Sequence, residues 1–373
     1  MKTIRNSIIA ILVIAASISL GAFAHASSSS ANNFSWVNLQ SDIAGVAQRV
    51  DPNLVNPWGM ALSSSNTIWV ADNGAGVATV YNPDGSPVIV PFGNAIRLLV
   101  VTIPPSASNT EGANPTGIVA NNTSFFKVTQ SGNSLPSEFI FVSEDGSISG
   151  FNSSLDPINA ILAVDNGATG AVYKGATMGT ANGHNFLYVT NFHAGTVETY
   201  DENFALQSSA SFPFTDPNLP VGYAPFGIRQ FNGQVFVTYA KQNAEMHDDV
   251  AGPGNGFIDI FDTSGNLVKR LVSNGNLNSP WGLAMAPSNF NPFQNDLLVG
   301  NFGDGRINVY NPSTGAFVGT PTEKDGTPLD FANLWDLLPL NNGIYFSAGI
   351  AHEQDGLFGV IQKAQSTSSK KKH

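Results

Sequence analysis

The stretch NPWGMALSSSNTIWVADNGAGVATVYNPDG (56–85) is written a second time, with changes, as SPWGLAMAPSNFNPFQNDLLVGNFGDGRINVYNPSTG (279–315). Copies of one pattern must fold alike, so this repeat constrains the architecture more than any single motif does. Each copy reads as an apolar strand, a turn, a strand ending in small polar residues, a glycine-rich loop and a strand closing in VYNP. Four further copies fit the template. NPTGIVA with FIFVSEDGSISGFN lies in 114–152, AVYKGAT with FLYVTNFHAGTVETYD in 171–201, APFGIRQFNGQVFVTYAKQ with GFIDIFDTSG in 224–265, and ANLWDLLPLNNGIYFSAGIAHEQDGLFGVIQ in 332–362. They place Trp58, Thr116, Lys174, Phe226, Trp281 and Trp335 in register, at spacings of 58, 58, 52, 55 and 54.

Six units of about four short strands predict an all-β fold, a six-bladed β-propeller. A pair of β-sandwiches would not repeat six times in register. The last unit has room for three strands, and FSWVNLQ (34–40) supplies a fourth that closes the ring and pairs its open edge. No long run carries the 3.6-residue period of a helix. Within a blade the xPWGxA strand is expected innermost, its glycine letting neighbouring strands approach. Antiparallel pairing then puts the start of that strand beside the end of the next. The loops ADNGAG, SEDG, TNFHAG, GNFGDG and AHEQDG would therefore share one face with the tryptophans.

The first 26 residues carry Lys2 and Arg5, an apolar run from Ile8 to Leu20, and Ala24-His25-Ala26. That order reads as a cleavable signal peptide (1–26), and the apolar run is short for a membrane anchor. The expected product is a propeller domain over 27–362, secreted or periplasmic, with a disordered basic tail over 363–373. With no cysteine, an apolar core must hold the fold, and thiol catalysis, thiolate-bound zinc and covalently attached haem are excluded. Removing Lys2 and Arg5 would take the net charge from −11 to about −13. An acidic chain without a basic stripe argues against nucleic acid as a partner. A monomer is expected.

The expected mouth holds Trp58, Phe226, Trp281 and Trp335, with Thr116 and with Lys174 as its cation. Such rings either fill the axis or line a pocket for a sugar, a flat organic molecule or a peptide side chain. Around them the loops offer Asp72, Asn73, Glu144, Asp145, Asn191, His193, Lys241, Asn301, Asp304, His352 and Glu353. Each has an ordinary turn role, yet together they make one face rich in carboxylates, amides and imidazoles. The fourth unit carries a long insertion in which His247, Asp248 and Asp249 precede GPGNG. It is either a solvated lid or a site for a divalent cation such as Ca²⁺. Two apparent motifs are set aside. GSISG (146–150) matches a nucleophile elbow but falls on a third strand, with Ile148 in the core. GPGNG (252–256) lacks the strand, helix and lysine of a phosphate loop.

The Pro-x-Gly start and the apolar-Val-Ala-Asp second strand resemble the NHL-type repeat. NPWGMA, VTNFHAG, VTYAKQNAEMHDDVAGPGNGFIDIFD and SPWGLAMAP are similar to segments of an uncharacterised family of exported bacterial propellers, some with a PEP-CTERM tail that SSKKKH does not match. This resemblance implies the fold and export, and no activity. By architecture the chain also looks like the gluconolactonase and senescence-marker propellers, which hold a divalent metal with Glu, Asn and Asp at the innermost-strand entrances. Here those positions read Trp58, Thr116, Lys174, Phe226, Trp281 and Trp335, a poor oxygen-ligand set. Three functional classes follow. The leading one is a non-catalytic exported binding propeller that recognises a carbohydrate, peptide or partner protein on its aromatic and acidic face. Another is a hydrolase or lyase acting on an extracellular small molecule with help from His193, His352 or a metal. The third is a structural surface protein.

Overall fold

The chain alternates runs such as TIWVAD and GVATVY with glycine turns, and each run becomes a strand buried on both faces. A computed structural model describes residues 32–93, 95–341 and 343–364, so the leader (1–26) and the tail from residue 365 lie outside the described residues. Its sheets form the six blades of a β-propeller. The innermost strands are Pro57–Leu62, Pro115–Ala120, Tyr173–Ala181, Tyr223–Phe231, Pro280–Met285 and Leu334–Leu340. Each packs on the next, and that of blade 6 packs on that of blade 1. Phe34–Ser41 pairs antiparallel with Leu357–Lys363 and completes blade 6, as the sequence predicts. That pairing reaches Lys363, one residue beyond the propeller boundary read from the sequence. Blade 3 has three strands in one sheet rather than four. Two hairpins are additions that the repeat does not announce: Ile89–Phe92 with Ala95–Leu98, and Lys127–Gln130 with Asn133–Pro136.

Strand side chains alternate between faces, and in a propeller both faces are interior. In blade 1, Val70 packs toward blade 6 with Leu338, Tyr345 and Phe358, while Trp69 and Ala71 pack toward blade 2 with Phe139 and Phe141. The same division recurs around the ring, one apolar cluster per blade interface. GSISG falls on the third strand of blade 2, Ser147–Phe151, with Ile148 fully buried, so it presents no nucleophile.

The glycine of the repeated phrase sits where adjacent innermost strands nearly touch. A Cβ on Gly227 would lie 2.1 Å from the Trp281 carbonyl oxygen, and one on Gly282 would lie 2.5 Å from that of Trp335. Blade 6 has Asp336 at this register. Its carboxylate accepts from the Met60 amide of blade 1 (2.8 Å) and is gripped through both oxygens by Arg229 of blade 4, each at 2.8 Å. A buried ion pair thus bolts three blades across the axis, beneath the aromatic rings.

Candidate functional site

Above that bolt the axis is closed. Trp58 stacks on Trp335 with centroids 3.4 Å apart, Phe302 stacks on the same ring at 4.2 Å, and Trp281 meets both indoles edge-on. Phe226 and Phe192 complete the cluster. Trp58, Phe226, Trp281 and Trp335 are all buried, at 6% exposure or less. The rings fill the axis and form a floor instead of lining an open pocket. Thr116 is spent on structure, donating to the Tyr173 and Val142 carbonyls.

On this floor stands a polar cup. Asn56, which precedes Pro57-Trp58, takes a left-handed backbone (φ 46°), and its Oδ1 accepts from Trp335 Nε1 at 3.1 Å. Its amide donates to Glu353 Oε1 (3.2 Å) and Asn73 Oδ1 (3.3 Å), and the Asn73 amide donates to Glu144 Oε2 at 2.9 Å. Glu144 in turn accepts from Lys174. This relay joins blades 6, 1, 2 and 3, and the blade 4 insertion adds His247 and Asp248 above it. Asp248 Oδ1 lies 2.8 Å from His247 Nδ1 and 3.6 Å from Lys174 Nζ. The Lys174 ammonium rests 5.1 Å from the Trp58 ring centroid and 5.8 Å from that of Phe192.

The cup separates its acids and bases by environment. Burial pushes the Glu353 carboxyl up to about 7, assisted by the charges of Glu144 and Asp249 and opposed by the Asn56 amide and Lys174. The hydrogen bond to Asp248 raises His247, and the same bond lowers Asp248. Burial raises Asp249, which Ser279 and Lys174 partly offset. Glu353 owes its aim to the backbone. Ala351, His352 and Glu353 all sit in the left-handed region, at φ of 53°, 57° and 64°. L-residues resist this conformation by roughly 1–2 kcal/mol each. The turn carries His352 outward to solvent and Glu353 into contact with Asn56.

Of the residues singled out in the sequence, Asn73, Glu144, Lys174, His247, Asp248 and Glu353 meet in the cup. The cation trio that the geometry assembles is Glu144, His247 and Asp248, with one ligand atom from each within 4.8 Å of the others. The trio read from the insertion had Asp249 in place of Glu144, and Asp249 is not among these three. Asn191 is buried and braces its own loop, donating to Glu198 and accepting from the Ala194 amide. Asn301 donates to the Asn276 carbonyl and to Asp304, and Asp145 holds the Ser106 and Ser147 amides. His193 is half-buried beside Gly170, and Lys241 is exposed at the end of its strand. Asn56 and Phe192 are not among the residues singled out in the sequence, and of the adjacent pair His352 and Glu353 the cup takes Glu353, whereas the catalytic reading of the sequence named His352. The signal for Asn56 was present in the varying first position of the repeated phrase.

Asp72 is fully buried, and neither of its oxygens finds a hydrogen-bond partner of good geometry. Burial, then the charges of Asp51 and Asp42, hold its carboxyl well above the usual range, with Thr79 pulling the other way. The folded protein therefore keeps a proton that the unfolded chain releases near pH 4, and stability on this account falls as pH rises from there. Asp72→Asn is expected to stabilise the protein at pH 7 by more than about 1 kcal/mol and to change little near pH 3. Urea melts at both pH values check this, and equal shifts at the two would refute it.

The cup faces the start of the innermost strands. The cleft between blades 1 and 2 on the opposite rim, lined by Ser63, Thr67, Trp69, Asn121 and Glu138, offers one titratable group. No helix of the described residues is long and apolar enough to cross a membrane. Among solved structures, the chain is similar to virginiamycin B lyase from Staphylococcus aureus (15% identity, 88% of this chain and 99% of that one, TM-score 0.50). A catalytically inactive form of that lyase with quinupristin aligns likewise (14%, 88% and 99%, TM-score 0.51). A Bacteroides thetaiotaomicron protein of unknown function also aligns (9%, 83% and 70%, TM-score 0.50). At such identities the likeness shows the propeller fold alone. No family model matches the chain. Two proteins of Acanthamoeba polyphaga mimivirus, the uncharacterized proteins R648 and L690, are each 31% identical to it. The matches cover 88% of this chain and 80% of the first, and 86% of this chain and 83% of the second. These relatives are viral, so they do not carry the bacterial setting suggested by the sequence resemblance. The chain belongs to the family of propeller proteins that includes R648 and L690 of Acanthamoeba polyphaga mimivirus.

Proposed function

We propose that this protein is a hydrolase or lyase working outside the cytoplasm on a small polar molecule that enters the axial cup. The reading rests on one observation: Glu144, Lys174, His247, Asp248 and Glu353 converge from four blades above a closed aromatic floor. A neutral carboxyl at Glu353 can give a proton, and the His247–Asp248 pair can take one, at near-neutral pH. Recognition of a glycan, peptide or partner protein without turnover is the second reading, supported by the exposed Asp248 rim. It loses the tryptophans as a stacking surface, since they are buried. Export rests on the leader sequence, and a mature chain beginning at Ser27, read by mass spectrometry, checks it.

A panel of uncharged esters, lactones and β-elimination substrates tests the main reading. Turnover is expected to fall as pH rises through about 7, where Glu353 loses its proton. Glu353→Gln is expected to lower kcat about 10²–10⁴-fold with KM nearly unchanged. If panel members raise the melting temperature while none is turned over, the recognition reading replaces the catalytic one.

A further inference from the structure

Lys174 enters the cup from the innermost strand of blade 3 with its side chain only 2% exposed. An ammonium carries three donors. Among the described residues this one makes a single hydrogen bond, to Glu144, while Asp248 at 3.6 Å lies beyond that range. Below it are aromatic faces, which stabilise the charge but accept no such bond. A buried cation so sparsely met lacks an acceptor. Asp248, 62% exposed on the blade 4 insertion, covers it without filling the gap.

The same place has the spacing of a divalent-cation site in Glu144, His247 and Asp248. Two of those three are the acidic neighbours of Lys174, so a metal ion there would share its oxygens with a fixed positive charge. The donor set therefore does not fit a divalent ion while Lys174 is in place, and with a single imidazole and two carboxylates it is thin for Ca²⁺ in any case.

We propose that Lys174 is the resident cation of the axial site, taking the position a metal ion would hold. The acceptor it lacks is a carbonyl oxygen of an uncharged substrate. The acidic rim disfavours anions, and an ammonium fixed in a poorly hydrated place polarises a carbonyl strongly. The substrate class rests on the cup being the working site as proposed above. The claim about the cation does not.

Electron paramagnetic resonance of added Mn²⁺ separates the two without any substrate. The wild-type protein is expected to bind no stoichiometric Mn²⁺ up to millimolar concentration. Lys174→Met keeps the packing on Trp58 and Phe192 and leaves Glu144 unpaired. It is expected to bind one Mn²⁺ per chain at least about 100-fold more tightly, and Mn²⁺ should raise its melting temperature alone. Lys174→Ala repeats the test if the methionine variant does not fold. One Mn²⁺ on the wild type, lost in Glu144→Gln, would overturn the proposal, as would folded Lys174 variants that gain no affinity. In the substrate panel, uncharged carbonyl compounds should bind the wild type better than their carboxylate analogues. The reverse preference would overturn the substrate class while leaving the cation assignment standing.

Discussion

Arg229→Met is expected to destabilise the protein by about 3–5 kcal/mol at pH 8, because it leaves Asp336 charged and unpaired inside the ring. The carboxylate is fully buried and still holds the Met60 and Leu337 amides, but these are dipoles and not a counter-charge. Burial already pushes Asp336 above the usual carboxylate range, and Arg229 is the chief opposing influence. Without the guanidinium the folded state would bind a proton more strongly still. The penalty of the variant is thus largest at high pH and shrinks as pH falls and Asp336 takes its proton. Asp336→Gly restores the glycine found at this register in the other five blades, and Arg229, a quarter exposed, can regain water. The double variant is expected to recover most of the loss. Chemical denaturation of the four proteins at pH 5 and pH 8 gives the coupling. A coupling below about 0.5 kcal/mol at pH 8 would mean that the pair does not bolt the blades together.

The second large effect lies one layer above. Trp335→Ala removes the ring on which Trp58 and Phe302 stack, and the indole N–H that orients Asn56. Losing a buried aromatic of this size costs about 3–5 kcal/mol. The hole would be lined by Trp58, Trp281, Phe226 and Phe302, an apolar set that stays dry and takes apolar guests. Indole at millimolar concentration is therefore expected to raise the melting temperature of the variant and not that of the wild type. Asn56 and Glu353 would also lose their fixed geometry, so the turnover proposed for the cup should fall even where the variant stays folded. A variant as stable as the wild type, or one that indole does not rescue, would show that the floor carries no such role.

The architecture was legible because a propeller writes its repeat into the chain. Each blade must bury both faces and bring its innermost strand against the next, so apolar runs, PWG phrases and glycine turns return at a near-constant period. Trp58, Trp281 and Trp335 could be placed on one axis from spacing alone, and so could the closing strand 34–40. The GSISG stretch could be dismissed because its place in the repeat is a third strand. Local sequence also fixed the turns in which Asp145, Asn191 and Asn301 spend their side chains.

The composition of the cup was decided only by tertiary structure. Whether four aromatic rings line an axis or plug it depends on how they interdigitate across four blades, and a sequence gives their register but not their rotamers. His352 and Glu353 are adjacent in the chain, and three successive left-handed residues send one outward and the other inward. That strain is held by contacts from Asn56 and the neighbouring loops, which lie some three hundred residues away in sequence. Lys174 reads in the chain as an isolated cation. Only the closed ring brings Glu144 from blade 2 and Asp248 from blade 4 to it, because charges couple through space, over a few ångströms, whatever their separation along the chain.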